Sequence, residues 1–142
     1  MFSTRSNNSQ LLATSLVGCK YVSGGCTPSG FDCWGLVWYF LTEMGEDIPK
    51  QYDYSLRQTT KDLVVMTSEA ERSGDWQPID RPERGCIAAF SRHGHIIHVG
   101  IWLDEQRRVL HANSNNVTCE TIGRIEKKRN LKAKFYKWRK LT

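Results

Sequence analysis

The apolar positions of this chain fall into two regimes, the first with the period of a helix and the second with the period of a strand. Over residues 8–17, Leu12 and Leu16 stand four apart and Gly18 follows as a stop, which predicts a short N-terminal helix. From Cys33 onward, Leu36, Val37, Phe40, Leu41 and Met44 form a helix-period stripe. Gly45 stands where a left-handed C-cap is expected, and Pro49 blocks continuation. Residues 46–57, with Pro49 and the run Gln51-Tyr52-Asp53-Tyr54, read as irregular. A further helix is expected from Thr59 to Arg72, with Leu63, Val64 and Met66 on its apolar side and Ser73-Gly74 as its stop.

After Pro82 the pattern shortens. Apolar runs at residues 85–90, 96–103, 108–112, 117–122 and 132–139 read as strands, with turns at Ser91–His95 and Asp104–Arg107 and a loop at Asn113–Asn116. The alternation of the last run slips between Phe135 and Tyr136, which predicts a bulge or a sheet edge there. Helices first and strands after define an α+β class, with the N-terminal helices packed on a central antiparallel sheet.

Length and composition narrow this picture. The 142 residues correspond to one domain, residues 1–142, and 39% hydrophobic content is enough for one core. No run approaches the length of a membrane span. The first ten residues lack an apolar segment of the secretory type, so no signal peptide is expected and any release from the cell would use another route. Five cysteines cannot all pair within the chain, and a disulfide framework is not expected; Cys33 is predicted free. Cys19, Cys26 and Cys33 are spaced by seven, which fits no common zinc pattern, and Cys19, Cys86 and Cys119 read as small core residues.

The net charge of +5 is uneven. Nine Lys or Arg and one Glu lie between Arg124 and Lys140, a local +8 that leaves about −3 for the rest. Such a stretch suits an anionic partner or, as the plainer reading, an edge strand protected by lysines.

The chemistry centres on the junction of loop and helix. Four glycines and Pro28 crowd residues 18–32, and Cys33 follows at or beside a helix N-terminus, where unpaired N–H groups and the helix dipole favour a thiolate. A cysteine nucleophile needs a base close in space. Of His93, His95, His98 and His111, the last two lie on strands either side of the Asp104–Arg107 hairpin and can share one face. His98 can then take the Cys33 proton while His111 orients the His98 ring, and an imidazolium at His98 would activate the thiol through an ion pair. Two other readings stand beside this one. A strand histidine can be a hydrogen-bonded structural residue, and the four histidines with a cysteine can ligate zinc, although no helix-borne pair at zinc-protease spacing is present.

The run Gly18-x-x-Tyr21-x-x-Gly24-Gly25-x-x-Pro28-x-Gly30-Phe31-Asp32-Cys33-x-Gly35-Leu36-Val37 resembles the signature of the NlpC family of papain-like cysteine peptidases. His98-Val99-Gly100-Ile101 and Val109-Leu110-His111-Ala112 resemble that family's two later strands, in matching order and separation. The resemblance implies a papain-like fold and cleavage of peptidoglycan stem peptides, typically at a D-Glu-γ-linked bond to a diamino acid. It implies Cys33 as nucleophile, His98 as base and His111 as the orienting third residue, with no cofactor and no metal. Tyr21 matches a groove-lining tyrosine, Asp32 matches an acidic residue that often meets a substrate amine, and the Cys33 N–H would serve an oxyanion hole. Two positions depart from the pattern: Trp34 stands where a small residue is usual, and Gly85-Cys86 replaces Gly-Asp. Trp34, counted with Tyr21 and Asp32 among the substrate-side residues, and the bare domain resemble versions carried in bacteriophage tails. The partners expected are therefore peptidoglycan and other tail-tip proteins rather than nucleic acid, and the location expected is a virion tail tip after assembly in the host cytoplasm. The alternative is a non-catalytic tail-assembly or wall-binding module on the same fold.

Overall fold

The computed structural model describes residues 4–48 and 60–138, with side chains over 8–48 and 63–138. Helix α1 (Thr4–Leu16) leads into a glycine-rich loop that carries two short strands, β1 (Cys26–Thr27) and β2 (Gly30–Phe31). Helices α2 (Cys33–Glu43) and α3 (Thr60–Ser73) follow. The remainder is strands β3 (Trp76–Ile79), β4 (Ile87–Arg92), β5 (His95–Trp102), β6 (Arg108–Ala112) and β7 (Val117–Thr121), then helix α4 (Ile122–Arg129) and strand β8 (Lys132–Trp138). The large sheet has the order β3-β8-β4-β5-β6-β7, and every pairing in it is antiparallel. The α+β class with helices on a central antiparallel sheet is the one the sequence pattern predicts.

Local chemistry explains the borders. Helix α2 ends in a Schellman turn: Glu46 N–H donates to Leu41 C=O and Gly45 N–H to Thr42 C=O, with Gly45 at φ 95°. The β4–β5 hairpin turns on His93 and Gly94, both at positive φ, the two-residue geometry that matches strand twist.

Both faces of the sheet are covered. On one face α2 and α3 bury Leu36, Val37, Phe40, Leu63 and Met66 against Ile87, Ala89, Val99, Ile101 and Leu110. Ala13 and Leu16 of α1 join that core. On the other face α4 brings Ile122 and Ile125 onto Ala88, Phe90, Trp102 and Val109. At roughly 25 cal/mol per Å² of apolar surface removed from water, these two layers are the main stabilising contribution.

Several expectations are corrected. Strand β8 is not an edge, because β3 and β4 flank it. Its apparent slip has a simpler cause: Phe135 packs into the second core and the adjacent Tyr136 into the first, so both faces of the strand need apolar residues. The register shift in the sheet lies elsewhere, between β4 and β5. Phe90 pairs with His98 and Ser91 with Ile96, which leaves Ile97 as the extra residue. Helix α4 and strand β3 were not legible as elements. Helix α4 has only two apolar positions in a basic run, and β3 is four residues long with a proline, a composition tolerated at an edge. Cys86 is a buried core residue, while Cys19 and Cys119 are partly buried against the first core. The irregular stretch expected over residues 49–57, and Arg139 and Lys140 of the last strand, lie outside the described residues. Among the described residues, no helix is long and apolar enough to cross a membrane.

Candidate active site

Cys33 is the first residue of α2, half-buried and free of any disulfide. Asp32 caps the helix: its Oδ1 accepts from Gly35 N–H at 2.7 Å and its Oδ2 from Gly24 N–H at 2.9 Å. This pair of bonds pins the glycine-rich loop to the helix start and fixes the direction in which Cys33 points. The loop is held from its other side by β7 and the turn before it, through Gly18 N–H to Val117 C=O, Val117 N–H to Cys19 C=O and Tyr21 N–H to Asn115 C=O.

The thiol meets the sheet where two strands part. Strands β5 and β6 pair only at Ile101↔Leu110 and Trp102↔Val109. Past that point the Val99 N–H is turned to the Cys33 sulfur, and the Trp34 N–H also reaches it. Val99 and Ile101 face α2, whereas His98 lies opposite Phe90 and contacts its ring on the face that α4 covers. The extra residue Ile97 sets this orientation, since a bulge re-aims the side chain beside it.

His98 and His111 are brought together. His98 Nε2 lies 2.8 Å from His111 Nδ1, and the rings stand nearly perpendicular at 81°. Both are buried, at 4% and 1% exposure. Gly100 makes room for this pair: a Cβ there would lie 3.0 Å from His111 Cβ and 2.6 Å from Val109 Cγ1. With Nε2 engaged by His111, Nδ1 is the second ring nitrogen of His98, and the tautomer of the pair decides which of the two carries the proton. His93 and His95 stay exposed at the β4–β5 turn and join neither group. Among the described residues, no cluster of three or more His, Cys, Asp or Glu is arranged to hold a metal ion.

One member of the constellation escaped the sequence reading. Glu120 of β7 places Oε2 2.6 Å from His111 Nε2, and its Oε1 lies 3.4 Å from Arg124 Nε of α4. The available signal was weak, a lone acid in a strand one hairpin beyond His111.

Burial governs the protonation of the site. It pushes the Cys33 thiol up to about 12, helped by the negative charge of Asp32 and opposed by the Val99 and Trp34 N–H groups and by Arg129. It holds His98 well below the ordinary imidazole value, with His111 and Arg129 adding to the effect. It also lowers His111, outweighing the upward pull of Glu120. Burial thus favours the neutral thiol and the neutral imidazole over the expected ion pair between Cys33 and a His98 imidazolium. The helix dipole and two N–H groups do not offset the loss of water around the sulfur.

The three residues placed on the substrate side behave differently. Tyr21 is exposed at 39%, and its phenol is raised first by partial burial and then by the neighbouring Cys33 and Asp32. Trp34 is fully buried, with its ring 5.7 Å from that of Trp76, so it belongs to the core and not to a groove. Asp32 is 2% exposed with both oxygens engaged, so it is the cap of α2 in place of the expected amine contact. Burial also raises its carboxyl to about 7, against the two N–H bonds that favour its charge.

Comparison with known proteins agrees with this architecture. The NlpC/P60 family matches residues 18–135, and the chain belongs to that family. It is 32% identical over 112 residues to the probable peptidoglycan endopeptidase LytE of Bacillus subtilis (strain 168), a match that covers 78% of this chain and 28% of LytE. The chain thus spans less than a third of that relative's length. Among solved structures, the NlpC/p60 domain of the peptidoglycan hydrolase SagA superposes with a TM-score of 0.59 at 22% identity, over 92% of this chain and 97% of that domain. RipD of Mycobacterium tuberculosis, described as a non-catalytic NlpC/p60 domain protein adapted to peptidoglycan binding, gives 0.60 at 14% identity, over 99% of this chain and all of that one. These two likenesses establish the shared fold.

Proposed function

We propose that this chain is a peptidoglycan endopeptidase that cleaves a stem-peptide amide bond of the D-Glu-γ-diamino acid type, with Cys33 as nucleophile, His98 as base and His111 as the residue that orients it. The observation that carries this reading is the 2.8 Å contact between His98 Nε2 and His111 Nδ1, made one residue before Val99, whose N–H reaches the Cys33 sulfur. Because burial favours the neutral thiol and the neutral imidazole, the proton moves from sulfur to Nδ1 as the sulfur attacks the carbonyl carbon. The C–N bond then breaks, and the same proton passes to the leaving amine nitrogen. Water attacks the resulting thioester, gives one proton to His98, and the thiol is restored as the acid product leaves. The Cys33 N–H, at a helix position with no intrahelical acceptor, suits the developing oxyanion.

The same reading extends to place. The Trp34-bearing signature resembles those of bacteriophage tail proteins, which supports a virion tail tip, acting on the wall locally, with other tail-tip proteins as partners. A non-catalytic wall-binding or tail-assembly module is the second reading, favoured by the fold shared with RipD. Digestion of purified muropeptides separates the two. Wild-type protein is expected to release the γ-linked fragment, Cys33→Ala to release none and His98→Ala almost none. His111→Ala should lose less, with part of that loss recovered in His111→Asn. Binding of wall fragments without any release by the wild type would establish the module instead.

A further inference from the structure

We propose that Glu120 is a positioning residue that fixes the proton arrangement of both histidines and so makes His98 Nδ1 the basic atom; the inference rests on the pairing of Cys33 with His98 proposed above. The third member of this constellation is an imidazole, and an imidazole is ambiguous where a carboxylate is not. Neutral His111 can offer Nδ1 either as a donor or as an acceptor to His98. If it donates, His98 must accept at Nε2, its own proton sits on Nδ1, and the atom left for the thiol is already protonated.

Glu120 removes the ambiguity. Its Oε2 lies 2.6 Å from His111 Nε2, and a carboxylate only accepts, so the His111 proton is held on Nε2. His111 Nδ1 is then a bare acceptor, and His98 Nε2, 2.8 Å away, must carry the proton it donates. His98 Nδ1 is left with its lone pair free. A two-bond chain from β7 through β6 to β5 thus sets the tautomer at the atom where chemistry occurs. Glu120 is itself held: its other oxygen faces Arg124 Nε at 3.4 Å, and its side chain is 16% exposed.

The charged groups around the pair sharpen the point. From α4, Arg129 acts on His98 and on His111, and Lys128 acts on His111, each opposing an imidazolium. From α2, Asp32 and Cys33 lie on the thiol side. Glu120 is the negative charge that faces His111, and it is placed to stabilise the imidazolium that forms as the thiol gives up its proton.

Nitrogen NMR of the histidine side chains in the whole chain tests the arrangement directly. In the wild type, His98 is expected to show a protonated Nε2 and a bare Nδ1, and His111 a protonated Nε2. Glu120→Gln, whose amide can donate as well as accept, should mix the tautomers, while Glu120→Asp should keep the wild-type pattern. In parallel, kcat on muropeptide should fall about 10- to 100-fold in Glu120→Gln, the range found for outer partners that hold ring nitrogens at metal sites, with KM nearly unchanged. The acid limb of kcat/KM should move to lower pH as the imidazolium loses its counter-charge, and Glu120→Asp should restore part of each change. A wild-type His111 protonated on Nδ1, or a Glu120→Gln protein with unchanged tautomers and pH profile, would overturn the proposal. The wild-type spectrum decides it even if a variant fails to fold. If the predicted tautomers appear in a protein that digests no muropeptide, the proton arrangement stands and the endopeptidase reading falls.

Discussion

A Cβ built on Gly35 would lie 1.8 Å from the carbonyl oxygen of Gly25. Helix α2 and the loop before it are in backbone contact there, and no side chain fits between them. The contact sits two residues past Cys33 and beside the Asp32 cap, whose Oδ1 would itself be 3.0 Å from that Cβ. Gly35→Ala is therefore expected to cost about 3 kcal/mol or more, at or beyond the upper end of ordinary overpacking, because the atoms in the way are backbone. Thermal unfolding of the variant checks this. An unchanged Tm would show that the loop can back away from the helix.

The same contact explains what was legible in the sequence. The spacing of Gly25, Gly30 and Gly35 around Asp32 and Cys33 is a short-range pattern, and short-range patterns survive as text. The strand borders of β5 and β6 were legible for the same reason, since apolar runs and the Asp104–Arg107 turn mark them. Glu120 was not legible, because its role depends on β7 pairing with β6 in a register that sets it near His111, and register is a tertiary fact. The burial of Trp34 was hidden too: only the arrival of Trp76 from β3 and Tyr136 from β8 shows that the residue after Cys33 faces a core. The neutral state of the thiol likewise depends on how much protein surrounds it, which a helix N-terminus in a sequence does not reveal.

Trp34 yields a prediction that separates core from groove. Its ring is fully buried against Trp76, which in turn lies 5.3 Å from Tyr136. Trp34→Ala should destabilise by about 3–5 kcal/mol through the cavity it leaves. Trp34→Phe should cost less and leave KM for a stem peptide nearly unchanged. Denaturant unfolding and steady-state kinetics measure the two effects. A raised KM with full stability would return Trp34 to the substrate side.

The protonation of Cys33 and His98 predicts an unusual pH response. With burial pushing the thiol up to about 12, the free protein is expected to carry little thiolate at pH 7. Alkylation of Cys33 by iodoacetamide should keep rising with pH past 9, without a plateau near neutrality. Hydrolysis should behave otherwise. In the proposed mechanism neutral His98 is the active form of the base, and burial favours that form well below the ordinary imidazole value, so activity should persist into mildly acidic buffer and fall only below it. An alkylation plateau with its midpoint below pH 8 would mean that the pair is ionised at rest.

Asp32 links the site to stability through its own titration. Its carboxyl is raised in the fold to about 7 from an ordinary value of 3.8 because burial disfavours the charge. A group with a raised folded value contributes stability fully below its unfolded value, and that contribution is lost as pH rises through the folded one. Wild-type stability should therefore decline between about pH 4 and pH 7, by a few kcal/mol at most on a shift of this size. Asp32→Asn should abolish that decline. The variant keeps an oxygen for the Gly35 N–H but turns an amide donor toward the Gly24 N–H, a mismatch worth about 1–3 kcal/mol. It should thus be the less stable protein at pH 5 and close the gap on the wild type by pH 9. Removing the negative charge beside the sulfur should also lower the Cys33 thiol, so that alkylation at pH 8 becomes faster in Asp32→Asn despite its weaker cap. Melting temperatures at pH 5, 7 and 9, read with the alkylation rate at pH 8, test both halves. Parallel pH curves for the two proteins would show that Asp32 is ionised throughout, held so by its two N–H donors.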